Sequence, residues 1–524
     1  MLVSFDGLSA DAAAAQPPFA SGDGLHVTRV IPVEPSVTSS THAAILTGAR
    51  PEVTGIVSNS FHQRGTPAEQ SVRGMEREIE VETLVESMRR QGKRVGAIVF
   101  PTVDSSSPRR TADFGLPYGK ALAEPRVVTL AARDWHDAMW LPPGWSGSRA
   151  VTAARPSFSP VMRARFEWSV PTATRQDVDV VAYDTTDDRV RNYDTFAIEV
   201  DGRELPLDAN RWFALQMRAN ARTNDRLVGA WAKLQLVDPM LSGVSIYVGA
   251  AFRSEAYPDD FRAALDDAAG VWPGPPDEKS ALRGAIDEAT FDEQLERVSS
   301  FCTTATLLAI RRGDFDLLLA YQPIIDAAEH PFHGGAPVAL AYAAMNRAVA
   351  AMRAAVDPTR DALVVTGDHG IASIDLEVRI NRLLSDWSEG DWTGYTSGNV
   401  AQLYRFGGAD HTEALMAKLR TAKAPDGSPI FERVVARPSP NAGDIVAFAY
   451  PRFALSAVGG EAFVTPAYRG QHGGLASHRE LQTALAAWGR GIPNATLASI
   501  DQTEIAPFLS RLLGVAPPGP QPQH

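Results

Sequence analysis

Cysteine is almost absent. Cys302 is the only one in 524 residues, so no disulfide can close within the chain. Its setting, SSFCTTATLLAI, reads as a buried helix face, which makes it a packing residue rather than a reactive thiol. Also missing is any run of about 18 or more apolar residues, so no membrane-spanning helix is expected. No long Lys/Arg run occurs, and the formal net charge is -12. Both facts argue against holding a nucleic-acid polymer by its phosphates. A small phosphate ester stays open to an acidic protein when metal ions supply the positive charge locally. There is no internal repeat and no visible signal segment. MLVSFDG already reads as the first core strand, so either that strand is short or an upstream segment is missing.

At this length the chain is expected to form two or more domains, or one large domain with insertions. Its 44% apolar and 21% charged residues are those of a globular protein. Up to about residue 120, strand-like and helix-like patterns alternate. Val81, Leu84, Val85 and Met88 recur at helical spacing before Gly92, and the apolar run RVGAIVF follows. The alternation resumes over 289–372 with FDEQLERVSSFCTTATLLAIRRG, FDLLLAY, PVALAYAAMNRAVAAMRAAV and ALVVTG, and closes over 468–514 with LQTALAAWG and QTEIAPFLSRLLG. Continuous apolar strands between helices predict an α/β fold, a mostly parallel sheet with helices on both faces. Residues 121–288 read as an inserted, mainly antiparallel β subdomain, its short alternating strands running from about Ser157 to Phe252. In its loop-like flanks Trp135, Trp140, Trp145 and Trp272 are expected to pin it to the core, or else to wall a pocket. Residues 373–467 read as an irregular cap region, and 515–524 as a disordered Pro-rich tail.

The stretch PSVTSSTHAAILTGARPEVTGIVSN, from Pro35 to Asn59, predicts the end of a strand, a tight turn and a short helix closed by Gly48. Thr38 stands where free N–H groups and the positive helix end converge, a place for a phosphate or a charged nucleophile. Ser39 and Ser40 are expected to direct their side chains outward. Asp6, Asp326 and Asp368 each follow an apolar run that would form a core strand, so three carboxylates arrive at one sheet edge, where open α/β sheets bind ligands. His330 follows Asp326 by four residues, one helical turn. Asp368 and His369 are adjacent, which calls for an irregular turn that Gly370 would permit. Taken singly, an Asp after a strand is often a cap and a lone His a hydrogen-bonded residue. The ordered set is what points to a site.

Asp6 in SFDG, Asp326 and His330 in YQPIIDAAEH, Asp368 and His369 in VVTGDHG, and His472 in RGQHGG resemble the metal-binding motifs of the alkaline phosphatase superfamily. The Thr38 segment resembles its type I phosphodiesterase/nucleotide pyrophosphatase branch. The resemblance implies one metal held by Asp326, His330 and His472. It implies a second held by Asp6, Asp368 and His369, with Thr38 beside it as ligand and nucleophile. Two Zn2+ are implied, with Mn2+ as the harder alternative. TSSTH departs from the branch's TFPNH, while Asn59 stands twenty-one residues after Thr38, where the branch places a phosphate-binding Asn. The implied function is hydrolysis of a phosphodiester, nucleotide pyrophosphate or phosphonate ester through a phospho-threonine, Asn59 and the Ser39 N–H holding a non-bridging oxygen. A phosphomonoesterase or phosphonate hydrolase would share the ligands. A sulfatase, a phosphomutase and a non-catalytic metal-binding module fit less well. The partner is a small phosphate ester, and nothing in the residues speaks to oligomeric state. Relatives are often exported, so the expected compartment is periplasmic or extracellular if an upstream segment is missing, and cytoplasmic otherwise.

Overall fold

The computed structural model describes residues 1–142, 145, 156–170, 176–200, 203–207, 211–218 and 226–519. Two compact units emerge, Met1–Tyr118 with Ala256–Leu265 and Phe291–His524, and Gly119–Glu255 with Asp266–Thr290.

The first unit is built on eight strands: β1 (Leu2–Phe5), β2 (Leu25–Ile31), β3 (Val95–Ile98), β4 (Phe114–Leu116), β5 (Leu317–Gln322), β6 (Ala362–Gly367), β7 (Thr483–Gly489) and β8 (Ala495–Asp501). Their order is β8-β2-β7-β6-β1-β5-β3-β4. Only β7 runs antiparallel to its neighbours; β6, β1, β5, β3 and β4 are parallel throughout. The central strands are buried along their length because both faces are covered. Side-chain periodicity shows this directly. Ser4 hydrogen-bonds to His42 of the helix α1 (Thr38–Thr47) on one face, while Gln322 bonds to Ser299 and Thr303 of a long helix on the other.

Further helices are α2 (Leu84–Arg90), that long helix α3 (Glu288–Arg312), α4 (Ile324–Phe332), α5 (Ala336–Ala355) and α6 (Ile505–Leu513). α2 opens on a capping box made by Thr83 and Glu86, which leaves Val81 outside the helix. Cys302 is fully buried in α3, where desolvation pushes its thiol pKa far up; the packing role expected for it agrees.

Residues 373–467 are more regular than their sequence suggested. Trp392–Ser397, Val400–Arg405, Ile445–Ala449 and Phe431–Ala436 form an antiparallel sheet. The helix Thr412–Thr421 buries Leu415, Met416 and Leu419 in a core shared with Leu403 and Phe453. The tail also departs from expectation up to its last five residues. The Ser87 hydroxyl donates to the Ala516 carbonyl and the Gly519 N–H to Glu82; residues 520–524 lie outside the described ones.

Among the described residues the second unit holds two antiparallel sheets of five strands each. Ala164, Phe166, Val178 and Ile198 of one share a core with Leu215, Val228 and Ile246 of the other, which makes a β-sandwich. Arg126–Ala131, ahead of the expected start at Ser157, is a strand paired with Gly243–Val248. Trp135 is buried in the sandwich's own core, Trp145 lies under the Arg165 guanidinium, and Trp140 is 82% exposed. Trp272 is buried.

Candidate functional site

The helix α1 follows β2 and begins at Thr38 itself. Its N-cap is Val37, without a side-chain cap, and Gly48 closes it in the left-handed region. The hydroxyls around Thr38 are therefore not caps, and they do not point outward: every residue from Thr38 to Thr47 is buried. Thr41 Oγ1 bonds back to the Val37 and Thr38 carbonyls and Ser40 Oγ to the Ile56 carbonyl. The apolar run AAIL and its flanks sit inside the molecule all round, so a capping argument built on solvent-exposed ends does not apply.

Two groups of ligand-type side chains converge at the carboxyl ends of β1, β5 and β6. In each, Asp326 with His330 and His472, and Asp6 with Asp368 and His369, one ligand atom per residue lies within 4.8 Å of the others. Within α4, His330 Nε2 lies 3.3 Å from Asp326 Oδ1, and His472 Nε2 lies 3.6 Å from the same oxygen. In the other group His369 Nε2 is 3.1 Å from Asp368 Oδ2 and 3.5 Å from Asp6 Oδ1. Thr38 Oγ1 is 3.3 Å from His369 Nε2. The rings of His369 and His472 stack at 3.8 Å and 16°, so the two groups are neighbours. Asn59 is brought in too, but its Oδ1 accepts from the Ser39 N–H at 2.8 Å. The two donors expected to share an oxyanion are thus bonded to each other.

Partners behind each ligand set its direction. The Nδ1 atoms of His330, His369 and His472 face the carbonyls of Gly470, Gly370 and Ser36 at 2.9, 3.2 and 3.0 Å. A carbonyl only accepts, so each Nδ1 carries the proton and each Nε2 turns a lone pair to the site. Asp368 Oδ1 accepts from the N–H groups of Gly7 and His369. Gly370 is needed for a different reason from the expected turn: a Cβ there would come within 2.2 Å of the Glu480 carbonyl oxygen. Two residues went unread in the sequence. Tyr321 donates its hydroxyl to Asp6 Oδ2, and the Gln502 amide donates to the Asp368 carbonyl at 2.6 Å. The one signal for Tyr321 was a polar tip in an otherwise apolar strand, FDLLLAY.

The crowded carboxyl groups shift one another. Burial, then repulsion from Asp368 and Asp326, raises the Asp6 pKa well above the usual carboxylate range. Burial, then Asp326, raises Asp368 to about 7. Burial also opposes ionisation of Asp326, but His330 and His472 outweigh it and hold this carboxyl low. Burial takes His472 down to about 4 against the pull of Asp326, and burial with His472 takes His369 lower still. Burial thus favours neutral imidazoles at His369 and His472 beside three crowded carboxyl groups. Asp6 Oδ1 and Asp326 Oδ1 are buried with no hydrogen-bond partner, a costly state unless something coordinates them. Three His and three Asp donors with two orphaned oxygens fit a pair of divalent cations.

Among the described residues no helix is long and apolar enough to cross a membrane. No curated protein sequence matches the chain. The fold is similar to human ectonucleotide pyrophosphatase/phosphodiesterase 5, at 13% identity and a TM-score of 0.51 over 100% of this chain and 96% of that one. It is likewise similar to the murine protein of that name, alone (TM-score 0.52) and as an inactive variant in complex with AMP (0.53), at the same identity and coverage. The family model for type I phosphodiesterase/nucleotide pyrophosphatase matches residues 1–474. Its first nine-tenths so matched, the chain belongs to the type I phosphodiesterase/nucleotide pyrophosphatase family, metal-dependent hydrolases of phosphoric esters.

Proposed function

We propose that the protein hydrolyses phosphodiesters of small molecules through a covalent phosphoryl group on Thr38, with zinc at both ligand groups. The observation that carries this reading is Thr38 Oγ1 at the N-terminus of α1, 3.3 Å from His369 Nε2, with two three-residue ligand groups alongside. Divalent ions held by Asp326, His330 and His472, and by Asp6, Asp368 and His369, would lower the pKa of an oxygen nucleophile and neutralise charge on the attacking and leaving oxygens. Zinc suits this mixed His and carboxylate set, and manganese is the harder alternative.

The chain's own part is positioning and charge stabilisation. Thr38 loses its proton to solvent and its Oγ bonds to phosphorus as the bond to the leaving alcohol breaks; that oxygen takes up a proton from water. A water then displaces the phosphoryl group, which restores the Thr38 hydroxyl and releases a phosphate monoester. Because Asn59 Oδ1 is taken up by the Ser39 N–H, the Asn59 NH2 is the end left to donate to a non-bridging oxygen. The α1 dipole favours negative charge at the same point.

A monoester carries a second negative charge, and Arg50 does not meet it. It stands beyond the far end of α1 and pairs with Asp501. The preference for a diester over the matched monoester is expected to reach about tenfold or more, the worth of one charge-assisted hydrogen bond. AMP held by an inactive variant of the murine relative makes nucleotide esters the first natural substrates to try. The test compares bis-p-nitrophenyl phosphate, p-nitrophenyl phosphate and a phenylphosphonate ester on one metal-replete sample, with acid quench and peptide mapping for phosphate on Thr38. A faster monoester reverses the substrate class; phosphate on Ser40 or Thr41 instead reassigns the nucleophile.

A further inference from the structure

The ligand residues differ in what stands behind them. His330, His369 and His472 lean on backbone carbonyls, and Asp368 accepts from two backbone N–H groups at Oδ1 and, at 3.4 Å, from the Thr41 hydroxyl at Oδ2. Asp6 is held by a side chain, the Tyr321 hydroxyl. The sheet register produces this contact. β1 and β5 are parallel neighbours with Ser4 opposite Tyr321, and alternation along β1 sends Ser4 and Asp6 to one face. Tyr321 shares that face, its ring edge-on to His42 at 5.4 Å, and its hydroxyl reaches one residue pair further along to Asp6 Oδ2. The other oxygen, Oδ1, is left buried without a hydrogen bond, 3.5 Å from His369 Nε2.

We infer that Tyr321 is a positioning residue that decides which oxygen of Asp6 is presented to a metal, and so sets the affinity of the Asp6/Asp368/His369 group apart from that of its neighbour. The inference rests on the two-metal reading above. A carboxylate on a short side chain can turn about its terminal torsion and offer either oxygen. Donation from a buried phenol to Oδ2 stops that rotation and leaves Oδ1 facing inward. A phenol suits the place because it has one proton to give and a ring that fills the apolar space beside His42 and Tyr118. The Asp326/His330/His472 group has no part in this contact, so it serves as a control within the same molecule.

The experiment uses the zinc-loaded full chain and Tyr321→Phe, which keeps the ring and removes only the hydroxyl. Both are dialysed against chelator buffers of stepped free Zn2+, and zinc per chain is read by elemental analysis; His330→Ala identifies which of two steps belongs to which group. Expected for Tyr321→Phe is a shift of the Asp6-group step to about 10–100-fold higher free Zn2+, with the other step unmoved. Its kcat recovers at saturating zinc with KM unchanged, and its Tm stays close to that of the parent. Two steps at their original positions overturn the inference while leaving the two-metal reading intact. Both steps shifted together with a lowered Tm also overturn it, because that is the signature of general packing. A parent chain that retains no zinc ends the two-metal reading and this inference with it.

Discussion

The β-sandwich unit buries Arg163 completely, with Asp179 3.5 Å away and Glu199 against its other nitrogen, and Arg165 pairs with the same Asp179. The α/β unit buries Asp6 and Asp368 and half-buries Asp326, beside the imidazoles of His369 and His472, which burial keeps neutral. Burial of charge is common to both units. What separates a structural cluster from a candidate site is whether opposite charges close on one another. In the sandwich they do, across neighbouring strands. At the sheet edge like charges meet, and the deficit calls for a cation from outside the chain.

The sharpest way to break this comparison is Thr38→Ala. It should lower turnover by more than about 10^3-fold, as loss of the proposed nucleophile would, with zinc content and Tm unchanged, since the Thr38 hydroxyl faces His369 Nε2 at 3.3 Å. Activity close to the parent would remove Thr38 from the site. In the sandwich the expected pattern is reversed. Arg163→Met should cost about 3 kcal/mol of stability, seen as a lower denaturant midpoint. Arg165 still faces Asp179, which keeps the loss at the low end, and zinc per folded chain should not change.

A third prediction uses pH on chelator-treated protein. Asp368 is raised to about 7 and Asp6 well above its usual range. Their folded forms hold protons that the unfolded chain gives up, so each costs stability as pH rises. His42 and His472, lowered to about 4, and His369, lower still, act in the opposite sense between there and the ordinary histidine value near 6.5. Above about 6.5 the unfolded histidines are largely neutral and only the carboxylates still count. Metal-free protein should therefore lose stability from pH 6.5 through 7 and beyond, by about 1 kcal/mol from Asp368 with Asp6 adding to it. Zinc-loaded protein should show no such slope, and urea midpoints at stepped pH read both. The smallest effect is Trp140→Ala, within about 0.5 kcal/mol, because that indole is 82% exposed; a larger loss would speak for the pinning role expected of it.

The metal-type ligands were legible because they follow strands. Asp6, Asp326 and Asp368 stand at the ends of apolar runs that β1, β5 and β6 realise, and the parallel sheet collects such ends at one edge. The fold class was legible for the same reason, each buried strand being a continuous apolar run. What escaped notice is instructive. The Thr412–Thr421 helix and the strand Arg126–Ala131 are short and carry mixed patterns, so neither shows a clean period. Gly370 was assigned a turn when its need is space beside Glu480, a matter of contact across 110 residues of chain.

By itself the sequence determined the α/β alternation, the presence of an antiparallel insertion and a candidate donor set, because each is written in local periodicity and spacing. Tertiary structure alone decided that α1 is buried on every side, that the Ser39 N–H is taken by Asn59, that His369 and His472 stack between the two groups, and that Tyr321 stands behind Asp6. Each of these joins residues on separate elements. Sheet register and burial bring them together, and neither is encoded at any one position in the chain.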